Sequence, residues 1–149
     1  MEWMILPFKR YAEFSGRSRR LEFWMFSVMN IIAVAIWTSL LFTVGMAVGA
    51  PGAGANPMAF FTVFGGYFLV LLIWFVIVIV PSAAVTVRRL HDRDMSGWWY
   101  LGYLVASFIP LLNFIAMIAF LVIMFLDGTP GTNRYGPDPK GRGVVDVFS

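Results

Sequence analysis

Charged residues are absent from two long stretches of this chain, residues 23–87 and 95–126, and apolar side chains fill both. A helix in water needs a wet face, so a run this long without charge implies a different solvent. The pattern predicts helices in a lipid bilayer. The first runs over residues 23–45, near the ~20 residues needed to cross ~30 Å of hydrocarbon. Trp24 stands at its basic end, where an indole prefers the interface. The second runs over residues 60–87 and carries Pro81. A membrane helix tolerates proline when neighbours satisfy the freed carbonyl, so this helix is expected to continue through Thr86 to Arg88 and Arg89. Residues 50–59 (APGAGANPMA) read as a chargeless Gly/Ala/Pro connection. Gly45 and Gly49 have the spacing of a helix-packing pair, although one such pair more often marks the start of a loop.

The third apolar stretch, residues 98–126, is too long for one span and too short for two, about 44 Å as a continuous helix. Pro110 interrupts it, and Leu111, Leu112 and Asn113 read as a tight turn. One kinked helix and a hairpin of two short helices, 98–109 and 111–126, are the alternatives. Charge distribution favours the hairpin. Five basic residues lie in the lead, three at 88–97, three in the tail and none at 46–61. The positive-inside rule then places the lead and the 88–97 loop in the cytoplasm. Only a hairpin returns Arg134, Lys140 and Arg142 to the same side. The expected architecture is therefore an all-α integral membrane helical bundle forming one multi-pass domain over residues 1–149. It has two full spans and a Pro110-centred pair of short helices, with three spans as the alternative. Residues 1–22 are a cytoplasmic interfacial lead whose Ser15 or Ser18 is a candidate cap for the first span. Residues 127–149 are a Gly- and Pro-rich tail with no regular element.

Composition agrees. The chain is 60% hydrophobic, 17% aromatic and 13% charged, against about 25% charged in soluble domains. The net charge of +3 belongs beside the spans, facing anionic headgroups, so nucleic acid is the poorer reading. There is no cysteine, which excludes thiol catalysis and thiolate metal sites. The first apolar run is too long for a signal h-region and should remain as a span.

Three polar islands converge on the cytoplasmic face in this arrangement. The first is Gly16-Arg17-Ser18-Arg19-Arg20-Leu21-Glu22-Phe23-Trp24. The second is Arg88-Arg89-Leu90-His91-Asp92-Arg93-Asp94, with Trp98 and Trp99 following. The third is Gly128-Thr129-Pro130-Gly131-Thr132-Asn133-Arg134-Tyr135-Gly136-Pro137-Asp138-Pro139. Phe14 to Arg17 with Arg20 to Trp24, Arg88 to Asp92 with Trp98-Trp99, and Gly128 to Pro139 occur in the order of a known family pattern. Over residues 10–140 the chain resembles the YhaH-type small bacterial inner-membrane proteins catalogued as domain of unknown function 805. Asn113 departs from the pattern, since members often carry glycine after the proline. The resemblance implies a multi-pass inner-membrane protein and supplies no activity.

The residues themselves suggest several roles. Glu22 at the mouth of the first span is a candidate ion-pair partner for Arg88 or Arg89, against the plainer reading that each charge snorkels to water. His91 and Asp92 would form a proton-handling dyad only if residues 90–95 were a loop, because neighbours on a helix do not face each other. The plainer reading is a loop tied down by Arg88 and Asp92. Arg17, Arg20, Arg88, Arg89 and Arg93 with Trp98 and Trp99 are a candidate anionic-headgroup site, weighed against an ordinary positive-inside signal with an aromatic belt. Asn133, Arg134 and Tyr135, held between glycine and proline turns, are expected to fold back over the 88–97 loop, with Asp138 near its arginines. No ionisable residue lies inside a span, which argues against a pump. No metal site or cofactor is implied. The leading expectation is a non-catalytic binding or interaction protein whose partners are the bilayer, anionic lipid headgroups or another membrane protein. A small oligomeric channel and a lipid-headgroup enzyme using His91 and Asp92 are the alternatives; oligomeric state stays open.

Overall fold

The structure is a computed structural model that describes residues 2–48 and 57–142. Residues 50–56 of the expected 50–59 connection lie outside the described residues, as do Gly49 and the end of the tail from residue 143; residues 57–59 are helical, so the second long helix starts earlier than the expected residue 60. Five helices follow one another in the described residues: α1 (Glu2–Lys9), α2 (Arg20–Val48), α3 (Pro57–Asp92), α4 (Trp98–Ala106) and α5 (Pro110–Phe125). Among the described residues the sole β feature is an isolated bridge between Asn133 and Gly136. α2 and α3, with 29 and 36 residues, are about 44 and 54 Å long, more than a hydrocarbon layer requires. Each therefore carries a span and extends beyond it. α3 passes through the buried Pro81 and on to Asp92, beyond the expected end of its span at residue 87.

The expected lead contains a helix of its own, α1. The proline turn lies elsewhere than expected. Leu111, Leu112 and Asn113 are the first turn of α5, and the chain reverses at residues 107–109. Pro110 sits at the helix start because its fixed φ suits the first turn, where its missing N–H would be unpaired anyway. It begins a helix here instead of breaking one. Ser18 is no conventional cap either: its hydroxyl donates to the Glu22 carboxylate at 2.7 Å.

The chain divides into two compact units, Ser27–Ile79 and the combination of Met1–Phe26 with Val80–Ser149. The first is almost wholly apolar and open to its surroundings; Ile31, Phe42, Phe61 and Phe68 are each about two-thirds exposed, at 67%, 68%, 69% and 68%. Lipid, not water, solvates such a surface. Its hydroxyls bond to carbonyls of their own helix, Thr38 to Val34, Ser39 to Ile36 and Thr43 to Leu40, each at 2.8 Å. Thr38 also meets the Tyr67 hydroxyl at 3.0 Å.

The second unit has a mixed core. Phe26, Ala84, Val85, Leu90 and Met124 are buried, and so are Glu22, Arg88 and Arg89. Phe8 meets Phe26 edge-on at 5.3 Å. Tyr103 stacks on Phe120 at 4.4 Å, joining α4 to α5. Polar chemistry decides that these two helices form a hairpin. The last carbonyls of a helix have no partner within it, and those at the end of α5 are met by side chains from α2, α3 and the residue that follows α3. Trp24 and Arg89 donate to Met124, Arg20 to Phe125, Arg89 to Leu126, and Arg93 to Asp127. The end of α5 thus returns to the end of α3, from which α4 had just departed. α4, at nine residues or about 14 Å, is too short to cross a bilayer.

Candidate functional site

The three polar islands fold into one ionic assembly around the C-terminal end of α3. Glu22, in the first turn of α2, meets Arg88 at 2.8 Å, with side-chain exposures of 3% and 0%. Arg88 also donates to the carbonyls of Arg10 and Glu13, tying the α1–α2 connection to α3. Asp92 accepts from Arg17 Nε (2.9 Å) and from Arg89 (2.5 Å), all three side chains being buried. The tie at helical spacing is therefore Arg89 to Asp92, and the alternative Arg88 to Asp92 tie does not form. Arg88 is drawn to Glu22 instead. Isolated charges at such depth would be costly, and mutual pairing with carbonyl acceptors is what makes their burial tolerable.

α3 ends in a Schellman arrangement. Met95 N–H donates to the Leu90 carbonyl at 3.0 Å and Asp94 N–H to the His91 carbonyl at 3.0 Å. Asp94 takes the left-handed conformation, φ 58°, that glycine usually supplies at this position. The tail satisfies the same helix end. Thr129 N–H donates to the Asp92 carbonyl at 2.9 Å, and the Asn133 side-chain amide donates to the His91 carbonyl at 2.9 Å. Arg17 passes between, donating to the carbonyls of Gly131 (2.6 Å) and Thr129 (2.5 Å). Gly128 lies against Asp92 so closely that a Cβ there would overlap the carboxylate.

His91 and Asp92 are neighbours on the last turn of α3 and turn to different partners. His91 Nδ1 lies 3.2 Å from the Gly16 carbonyl; a carbonyl only accepts, so Nδ1 carries the proton. Gly16 reaches that position with φ 82°, which a side chain would resist. The imidazole stacks on Tyr135 at 3.8 Å and 5°, and the Arg134 guanidinium lies 4.9 Å from the centre of the Tyr135 ring. Arg134 also pairs with Asp94 at 3.1 Å and is 60% exposed. Among the described residues no cluster of three or more His, Cys, Asp or Glu side chains is placed to hold a metal.

Asp138 does not meet the arginines of α3. It accepts from Arg142 at 2.9 Å and lies 3.9 Å from Arg17. Burial works against its ionisation, but the hydrogen bonds from Arg142 and the Lys140 amide outweigh it and hold the carboxyl below its usual range. The candidate headgroup set is also split. Arg17, Arg88 and Arg89 are buried in the network, Arg20 is part exposed at 3.5 Å from Asp127, and Trp98 and Trp99 stand exposed at the start of α4. Arg93 donates to the Asp127 carbonyl.

Sequence reasoning missed Asp127, Lys140 and Arg142. Asp127 accepts from Lys140 (2.5 Å) and Arg142 (3.1 Å). The Lys140 hydrogen bond, with the charges of Arg20 and Arg142, pulls the Asp127 pKa down to about 2. Alternating charges in the tail were the available signal. Two hollows flank the assembly. One of about 460 Å³ is lined by Arg19, Arg20, Leu21, Trp24, Phe125 and Lys140. Another of about 550 Å³ is walled mainly by aromatic and apolar side chains, among them Phe14, Val87, Trp98 and Tyr100, with His91 and Tyr135 on its polar side.

Comparison with known proteins places this architecture. The family described as Protein of unknown function (DUF805) matches residues 11–137. Inner membrane protein YhaH of Escherichia coli (strain K12) is 37% identical over 140 residues, covering 94% of this chain and 98% of that protein. Inner membrane protein YhaI of the same organism is 34% identical over 140 residues, covering 94% and 97%. Uncharacterized protein YiiR, also from that strain, is 34% identical over 145 residues, covering 85% and 86%. No solved structure matches. With its apolar helices, its three islands and these relatives, the chain belongs to the DUF805 family of unknown function and is a multi-pass protein of the bacterial inner membrane.

Proposed function

We propose that this protein is a non-catalytic binding protein whose ionic assembly lies on the cytoplasmic face and presents basic and aromatic side chains to a partner at the membrane surface. One observation carries the reading. The buried charges, Glu22 with Arg88 and Asp92 with Arg17 and Arg89, bond one another, and Arg20, Arg134, Trp98 and Trp99 remain exposed around them. Side chains held this way build a rigid platform. His91 and Asp92, the pair best suited to acid–base work, are each engaged with backbone or arginine, which supports binding over headgroup chemistry. The absence of charge at 46–61 and the eleven basic residues in the remaining polar segments support the cytoplasmic placement.

The chain has no native cysteine, so Arg134→Cys introduces a single thiol. It should react with a membrane-impermeant reagent in inverted vesicles and stay protected in intact spheroplasts; the opposite pattern refutes the placement. A photo-crosslinker at position 134 in living cells should then capture a discrete lipid or protein species. Recovery of only uncrosslinked chain, from this position and from position 20, refutes the binding reading.

A further inference from the structure

We infer that the hollow formed by Arg19, Arg20, Leu21, Trp24, Phe125 and Lys140 is an interfacial site for the phosphate of an anionic phospholipid. The inference deepens the binding reading above and rests on it. The site has a cationic rim and an apolar floor. Trp24 stacks on Phe125 at 4.2 Å, with the part-exposed Leu21 beside them. Arg19, Arg20 and Lys140 form the rim. These residues come from the start of α2, the end of α5 and the tail, so the hollow lies where two apolar segments reach their polar ends. That is headgroup depth, with room for acyl chains along the aromatic floor.

The charge balance favours an anion. Lys140 and Arg20 share one carboxylate, Asp127, at 2.5 and 3.5 Å, and Arg142 also draws on it at 3.1 Å. Arg19 meets no carboxylate within ion-pair distance among the described residues; it donates to the Pro139 carbonyl and lies 5.4 Å over the Trp3 ring. Arg20 is moreover the first residue of α2. Cations at a helix N-terminus oppose the helix dipole, and a bound anion relieves both. The floor separates a lipid from free phosphate, because a soluble anion gains nothing from the exposed Leu21 and Phe125 and the half-buried Trp24. The volume of about 460 Å³ suits a headgroup with the first part of its chains.

The test is native mass spectrometry of the full chain released from nanodiscs of phosphatidylglycerol and phosphatidylcholine. The wild type should retain phosphatidylglycerol preferentially. Arg19→Gln with Lys140→Gln should lower that preference roughly tenfold, and Lys9→Gln, at an exposed position outside the hollow's lining, should leave it unchanged. Arg19→Gln alone disturbs no ion pair and should still reduce retention about threefold if the double variant proves unstable. Equal retention of both lipids, or full preference in the Arg19→Gln chain, overturns the assignment. So does displacement of phosphatidylglycerol by millimolar inorganic phosphate, which would make the ligand a free anion. If lipid preference is absent while the crosslinker at position 134 still captures a protein, the site fails and the binding reading stands.

Discussion

Removing Arg88 should damage this protein more than removing Glu22, although the two residues form one ion pair. Both side chains are buried, at 0% and 3% exposed, and 2.8 Å apart. Deleting one member of such a pair leaves an uncompensated charge and costs about 3–5 kcal/mol. The environments decide where in that range each variant falls. Without Glu22, the guanidinium keeps the carbonyls of Arg10 and Glu13 as acceptors, so Glu22→Met should cost about 3 kcal/mol. Without Arg88, the carboxylate keeps the Ser18 hydroxyl, while the Arg10 and Glu13 carbonyls lose a donor. Arg88→Met should therefore cost about 5 kcal/mol. The double Met variant should recover part of that loss. Its stability should lie within about 2 kcal/mol of wild type, because desolvating an ion pair offsets much of its attraction. The Nε–H of Arg88 is buried without a partner, which weakens the native pair further. Charge reversal, Glu22→Arg with Arg88→Glu, should not rescue, since a carboxylate at 88 would face two carbonyls. The assay is SDS-titrated unfolding in mixed micelles, followed by tryptophan fluorescence. A coupling energy below about 1 kcal/mol in the Met cycle, or equal loss from the two single variants, would refute the reasoning.

Three further outcomes follow from the assembly. Gly128→Ala should push the Asp92 carboxylate away from Arg17 and Arg89, because no space exists for the added methyl; faster proteolysis of residues 127–142, with the spans intact, is the readout. Asp94→Gly should remove the strain of φ 58° and stabilise by about 0.5–1 kcal/mol, since the lost pair with Arg134 is exposed and contributes little; a lower unfolding midpoint contradicts this. Asp127 has a folded pKa of about 2, below the ordinary carboxylate value of ~3.9, so the unfolded tail binds more protons between these values. Its contribution to docking is fully present above about pH 4 and is lost as pH falls through about 2. Hydrogen exchange of residues 127–142, corrected for intrinsic rates, should accelerate across that window, and Asp127→Asn should shrink the step to the part that Asp138 contributes.

The bilayer as solvent, the two long spans and the grouping of charge into three islands were all legible in residue order. The reason is physical: a charge-free run longer than twenty residues has no soluble solution, so one-dimensional pattern is enough. Passage of the helix through Pro81 was legible for the same reason, since a chain in lipid cannot leave its carbonyls unbonded. The tail's folding back was foreshadowed by glycine and proline turns around Asn133 and Tyr135. Which partners met was decided only in three dimensions. Helical spacing allowed Arg88 to reach Asp92, and the approach of α2 sent it to Glu22 and left Asp92 to Arg89 and Arg17. His91 beside Asp92 suggested a dyad only if they lay in a loop, and α3 took both into its last turn and turned them apart. Pro110 marked an interruption in either arrangement, but local sequence did not say whether the helix ended after it or began with it. The hairpin was settled by the carbonyls at the end of α5, which needed donors that Trp24, Arg20 and Arg89 on other helices and Arg93 just past the end of α3 supplied. Solvent preference is a property of each segment and can be read along the chain; hydrogen-bond satisfaction is a property of the assembled whole.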